Sequence, residues 1–195
     1  SIGSVISQTF QDWELIVWDD GSSDDTRKVV NGYDDDRIKY FYETNHGKSY
    51  ALNQAIQRAK GEALAFLDDD DQWLPGKLES QMNVMTHNPE IDLIFGNFKN
   101  LNLQKGSEDL GFTQNARGLA KLQTRKLSDG LYLIEDGWLS GISRANFIAF
   151  DTVLMKKDLY DEIGQFNENL KNGMDFEYWW RFGLGSYQAA YIDDV

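Results

Sequence analysis

The run Ala63-Leu64-Ala65-Phe66-Leu67 ends in four consecutive aspartates, Asp68, Asp69, Asp70 and Asp71. A short apolar run bounded by polar residues reads as a buried strand, and this strand delivers several carboxylates to one spot. Carboxylates a few ångströms apart repel and raise one another's pKa unless a cation or hydrogen-bond donors compensate. A hard divalent ion, Mg²⁺ or Mn²⁺, suits that task because it prefers oxygen ligands. It also keeps coordination positions for phosphate oxygens, which points to chemistry on a nucleotide diphosphate. The same pattern occurs upstream, where Glu14-Leu15-Ile16-Val17-Trp18 runs into Asp19-Asp20-Gly21-Ser22-Ser23-Asp24-Asp25-Thr26.

The segments between and beyond these clusters alternate strand and helix signals. Residues 4–9 read as the end of a helix, 27–31 as a short helix, and 38–42 as a strand. The clearest helix is 48–60: Ala51, Leu52, Ala55, Ile56 and Ala59 recur at helical spacing. Asn53, Gln54, Gln57 and Arg58 are expected to face outward, and Gly61 to close the helix as a C-cap. Strand 63–67 follows. Pro75 then opens a helix with Leu78, Met82 and Met85 on one face, which Asn88-Pro89 stops, and residues 92–95 form a further strand. Residues 99–130 are less periodic and read as a partly mobile excursion with a short helix over 119–127. Beyond it come a strand over 147–155, a helix over 157–163 ending at Gly164, and a helix over 174–182. Alternation of this kind predicts an α/β fold with a mostly parallel sheet and helices on both faces. In such sheets ligands bind beyond the carboxyl ends of strands, where both acidic clusters lie. Taken singly, residues 19–25 would read equally well as a solvated turn with a helix cap.

Composition removes several alternatives. The chain has 195 residues and a formal net charge of −13, which argues against nucleic acid as a partner. It contains no cysteine and only two histidines, His46 and His87, so a thiolate nucleophile, a disulfide framework and a Cys- or His-rich metal site drop out. Its apolar runs are shorter than the roughly 20 residues of a membrane span. With no secretory signal at its start, the expected location is cytoplasmic, with peripheral contact at the inner face of a membrane left open.

Read together, four blocks resemble the family-2 glycosyltransferases of the GT-A fold. The first is Gln8-Thr9-Phe10 with the stretch from Trp13 through Asp19-Asp20-Gly21-Ser22 to Thr26. The second is Asn45-His46-Gly47-Lys48-Ser49 with Ala51 and Asn53. The third runs from Lys60-Gly61-Glu62 to Asp71 and on through Trp73, Leu74, Pro75, Lys77 and Leu78. The fourth is Gly164-Gln165-Phe166-Asn167-Glu168 followed by Gly173-Met174-Asp175-Phe176-Glu177-Tyr178-Trp179-Trp180-Arg181. Residues 99–144 are not covered. The family's opening strand and its nucleobase loop have no counterpart, because the sequence starts at Ser1 within the segment matching the first helix.

The resemblance implies inverting transfer of a sugar from a nucleotide diphosphate, UDP-hexose being the commonest donor, to a saccharide or lipid-linked saccharide acceptor. It implies Mg²⁺ or Mn²⁺ as cofactor and polysaccharide assembly as the setting. Carried over, Asp20 would contact the nucleoside and Asp19 would support its loop. Asp68 and Asp70 form the Asp-x-Asp, with Asp68 at the ribose or metal shell and Asp70 the direct ligand; Asp69 and Asp71 are secondary candidates. Asp175 matches the general base, with Glu177 as the fallback because Met174 replaces the acidic residue that usually precedes the base. Residues 1–97 would form the donor and metal half of a single domain, and residues 98–195 the acceptor half. Two other readings share the carboxylates: a metal-dependent nucleotidyltransferase or phosphohydrolase, and an inert sugar-nucleotide-binding module.

Overall fold

The computed structural model describes residues 1–102, 107–111 and 117–193. After a short α1 (Ile2–Ile6), strands β1 (Leu15–Asp20) and β2 (Ile38–Glu43) pair in parallel around α2 (Thr26–Val30). Asp19 and Asp20 belong to the last residues of β1 itself, opposite Tyr42 and Glu43. Helix α3 (Lys48–Arg58) leads to β3 (Ala63–Ala65), the acidic turn and α4 (Lys77–His87). Then come β4 (Leu93–Gly96), the hairpin β5 (Lys99–Asn102) and β6 (Ser107–Leu110), and a second hairpin of β7 (Gln123–Ser128) and β8 (Leu131–Asp136). The chain closes with α5 (Trp138–Arg144), β9 (Leu154–Lys156), α6 (Lys157–Ile163), α7 (Met174–Leu184) and β10 (Ala189–Ile192).

The main sheet has six strands in the order β3-β9-β4-β10-β8-β7. It is mixed rather than mostly parallel: β4 and β10 run parallel, whereas β9 is antiparallel to both β3 and β4, and β8 to both β10 and β7. Apolar side chains alternate between its faces, as the two-residue period of a strand requires. Leu93, Phe95, Ile134 and Met155 join Ile56, Trp138, Phe147, Tyr178, Trp179 and Phe182 in one core beneath α3, α5 and α7. Ile94, Leu133, Leu154 and Ala190 join Leu78 and Met85 of α4 in the other. Helices on both faces therefore hold, and no helix among the described residues is long and apolar enough to cross a membrane.

Several local expectations give way to tertiary contacts. Helix α3 stops at Arg58 with Ala59 extended, so Gly61 is not its cap. The Glu14 carboxylate accepts hydrogen bonds from the Lys60 and Gly61 amides, which pulls the chain out of the helix early. Asn53, expected outward, is 1% exposed. Strand 63–67 shortens to Ala63–Ala65, and α4 begins at Lys77 after Gly76. The helix expected over 119–127 is in part β7, because Asp129-Gly130 (Gly130 φ 70°) turns the chain into a hairpin with β8. Over 147–155 only Leu154–Lys156 is strand; Phe150–Thr152 is a 3₁₀ turn closed by Ala149 and held by Gln81 Nε2, which donates to the Thr152 carbonyl at 2.7 Å. The expected mobile excursion lies in part, at 103–106 and 112–116, outside the described residues.

Candidate active site

The carboxylates at the ends of β1 serve two tasks. Asp19 is 5% exposed; its Oδ1 accepts from the Ser22 amide at 2.7 Å and its Oδ2 from the Tyr40 hydroxyl at 2.5 Å. Burial pushes this carboxyl up, but the bonds from Tyr40, Ser22 and Gly21 outweigh it and leave the pKa below its ordinary value. The same burial and the bond to Asp19 push the Tyr40 phenol up to about 12. Asp19 thus braces the turn that follows β1. Asp20 accepts from the backbone amides of His46 at 2.7 Å and Gly47 at 2.8 Å, while its carbonyl takes the Asn45 side-chain amide at 2.9 Å. Its side chain therefore docks the end of β1 onto the loop that starts α3. Gly21 (φ +89°) lets the two backbones meet, since a Cβ there would stand 2.8 Å from the Asn45 nitrogen.

At the end of β3 the acidic turn splits. Carboxylate oxygens of Asp68, Asp71 and Asp151 lie within 4.8 Å of one another. Asp69 and Asp70 are exposed on the same turn and lie outside that group. Asp151, from the 3₁₀ turn, is the member that inspection of the sequence missed. Its Oδ1 accepts from the Asp68 amide at 2.5 Å, and its carbonyl accepts from Trp73 Nε1 at 2.9 Å. Burial pushes the Asp151 carboxyl up to about 6 against the pull of the Asp68 amide, and the charges of Asp68 and Asp71 add to the rise. Lys77, lying 4.2 Å over the Trp73 ring, donates to the Val153 carbonyl at 3.3 Å; burial lowers its amine to about 7 against the attraction of Asp151. Lys48, the first residue of α3, reaches across to Asp68 with 2.6 and 2.5 Å contacts to Oδ1 and Oδ2. Three hard oxygen donors on two elements form a set that fits Mg²⁺ or Mn²⁺.

Asp175 lies in the first turn of α7, where the helix dipole favours a carboxylate. Its Oδ2 accepts from Asn146 Nδ2 at 3.0 Å. The segment 146–151 therefore contacts both candidate groups: Asn146 donates to Asp175, and Asp151 accepts from the acidic turn. Glu177 is engaged elsewhere, in a two-point pair with Arg181 at 2.7 and 3.0 Å, while Arg181 also donates to the Ile163 and Gln165 carbonyls. Trp179 is fully buried, and Trp138 donates to its carbonyl at 2.8 Å; Trp180 is exposed beside Phe176.

Comparison with known proteins identifies the family and the fold. The family model described as "Glycosyl transferase family 2" matches residues 1–147. An uncharacterized glycosyltransferase of Rickettsia typhi, RT0329, is 33% identical over 93% of this chain, which spans 53% of that protein. The UDP-Glc:alpha-D-GlcNAc-diphosphoundecaprenol beta-1,3-glucosyltransferase WfgD of Escherichia coli is 45% identical over 52% of the chain and 40% of its own length. The crystal structure of S. aureus TarS 1-349 in complex with UDP superposes on all of this chain and 53% of its own, with a TM-score of 0.73 at 22% identity. The fold is therefore GT-A, and the chain spans about half the length of the first of these relatives.

Proposed function

The chain belongs to glycosyl transferase family 2, and on that premise we propose that it transfers a sugar from a nucleoside diphosphate to an acceptor hydroxyl with inversion. The observation that supports this most directly is the 146–151 segment, which links the Asp68 group to Asp175. Donor activation and proton removal are then connected through one short segment. UDP-hexose is the donor favoured by the WfgD name and by the UDP complex of TarS. The WfgD name also favours a lipid-linked saccharide as acceptor, and an acceptor of that kind would bring the protein to a membrane surface.

In this reading residues 1–97 hold the donor and, together with Asp151 from the second half, the cation, while the rest of 98–195 shapes the acceptor side. Asp20 and the 45–47 loop border the nucleoside, with Asp19 bracing them and Asp69 beside the donor. Asp68, Asp71 and Asp151 would hold the cation, and Asp70 is the further carboxylate the motif supplies. A divalent ion bound there would supply positive charge against the departing nucleoside diphosphate. Asp175, positioned by Asn146, takes the proton of the acceptor hydroxyl as that oxygen attacks the anomeric carbon. One carboxylate base suffices for attack opposite the leaving group.

The test uses thermal stabilisation by UDP-, GDP- and dTDP-sugars with and without Mn²⁺. A ligand at 100 times its Kd adds about 2.7 kcal/mol. A Mn²⁺-dependent shift with UDP-sugars is expected, and Asp175→Asn should keep that shift while losing transfer to a GlcNAc-diphospholipid acceptor. No shift with any sugar nucleotide, or full turnover in Asp175→Asn, would overturn the proposal.

A further inference from the structure

Lys48 pairs with one member of the three-carboxylate group. Its ammonium straddles Asp68, 2.6 Å from Oδ1 and 2.5 Å from Oδ2. Asp68 is also a member of the three-carboxylate group and the first aspartate of the Asp-x-Asp motif. A divalent ion approaching those two oxygens meets an ammonium already bound to both. The lysine and the ion compete for the same lone pairs and repel each other.

The pair is easily opened. The Lys48 side chain is 49% exposed and that of Asp68 34%, and ion pairs so open to water are weak. The lysine has somewhere to go. Its backbone is fixed as the first residue of α3, beside the loop that Asp20 clamps, and its stem is flexible. The ammonium also lies 5.3 Å from the Phe150 ring, next to Asp151 in sequence. A displaced ammonium therefore remains at the rim of the carboxylate group. Phosphate oxygens arriving at that rim would offer the ammonium a second anion.

We infer that Lys48 alternates between two anions: it neutralises Asp68 when the donor is absent and binds the donor's diphosphate when the ion takes Asp68. This deepens the glycosyltransferase reading and rests on it. The lysine then acts against the ion alone and in favour of the ion together with the nucleotide. Ion and donor bind cooperatively as a result, with no change of fold.

The test is Lys48→Gln, with Lys48→Met as a second variant. Mn²⁺ binding to the nucleotide-free protein is read from the free Mn²⁺ signal in electron paramagnetic resonance, and UDP binding at saturating Mn²⁺ by calorimetry. Both variants should bind Mn²⁺ alone about 2- to 5-fold more tightly, the range set by an exposed ion pair. They should bind UDP about 10-fold more weakly, as expected for loss of one charge-assisted contact. Unchanged or weaker Mn²⁺ binding would overturn the inference, and so would unchanged UDP affinity. Failure of the wild-type protein to bind UDP with Mn²⁺ would instead remove the functional reading beneath it.

Discussion

Replacing Asn53 by alanine should be among the most damaging single changes in the chain, although the residue is polar and lies in a helix. Asn53 makes four hydrogen bonds. Its Nδ2 donates to the Phe166 carbonyl at 2.9 Å and to Glu168 at 2.8 Å, and its Oδ1 accepts from the Tyr160 hydroxyl at 2.9 Å and the Phe166 amide at 3.0 Å. Truncation strands the Phe166 amide and carbonyl and the Tyr160 hydroxyl in the interior. A buried group left without a partner costs about 1–3 kcal/mol. Three such groups, with some relief from entering water, place the loss at about 3–5 kcal/mol, a large share of the ~5–15 kcal/mol that holds a typical domain together. Tyr160→Phe removes one of the four bonds and should cost only about 1 kcal/mol. Urea unfolding of both variants, with the slope m checked for constancy, measures the two losses. If Asn53→Ala costs no more than Tyr160→Phe, the network is not a structural splice and the reasoning is wrong. The consequence for function is direct, since Asn53 ties the helix that carries Lys48 to the chain leading into Asp175.

Two further outcomes follow from the geometry of the site. Gly21→Ala forces a Cβ to within 2.8 Å of the Asn45 nitrogen at φ +89°; the left-handed conformation alone costs about 1–2 kcal/mol, so the melting temperature should fall and UDP affinity with it. Asp151 has a folded pKa of about 6, above its unfolded value. Its contribution to stability is therefore present below about pH 4 and lost as pH rises through about 6. Asp151→Asn should flatten the stability profile across that window and gain most relative to wild type near pH 7, as urea midpoints at pH 4.5 and 7.5 would record. An unaltered profile would refute the assignment.

Local pattern carried much of the fold. The α6 boundaries and its Gly164 cap (φ 91°) agree with the 157–163 reading, because periodicity and a left-handed glycine act over a few residues. The two strand ends rich in aspartate were equally visible, since apolar run and acidic stop are adjacent in the chain. The β7–β8 hairpin was within reach through Asp129-Gly130, a turn signal obscured by the polar surface of β7. Asn53 and Asp151 were not. Each is a polar residue in a segment that reads as ordinary helix or strand, and its role depends on partners 113 and 83 residues away.

The amino-acid order alone therefore settles an α/β chain with carboxylates at strand ends, because helix and strand periods and short-range charge density are local quantities. Packing decided which of those carboxylates share a volume. It drew Asp151 to Asp68 and Asp71, held Asp175 through Asn146, and set Lys48 against Asp68. Such meetings depend on how distant segments fill space on a mixed sheet, and hydrophobic burial, which brings them together, carries no record in the sequence of which polar groups will be neighbours.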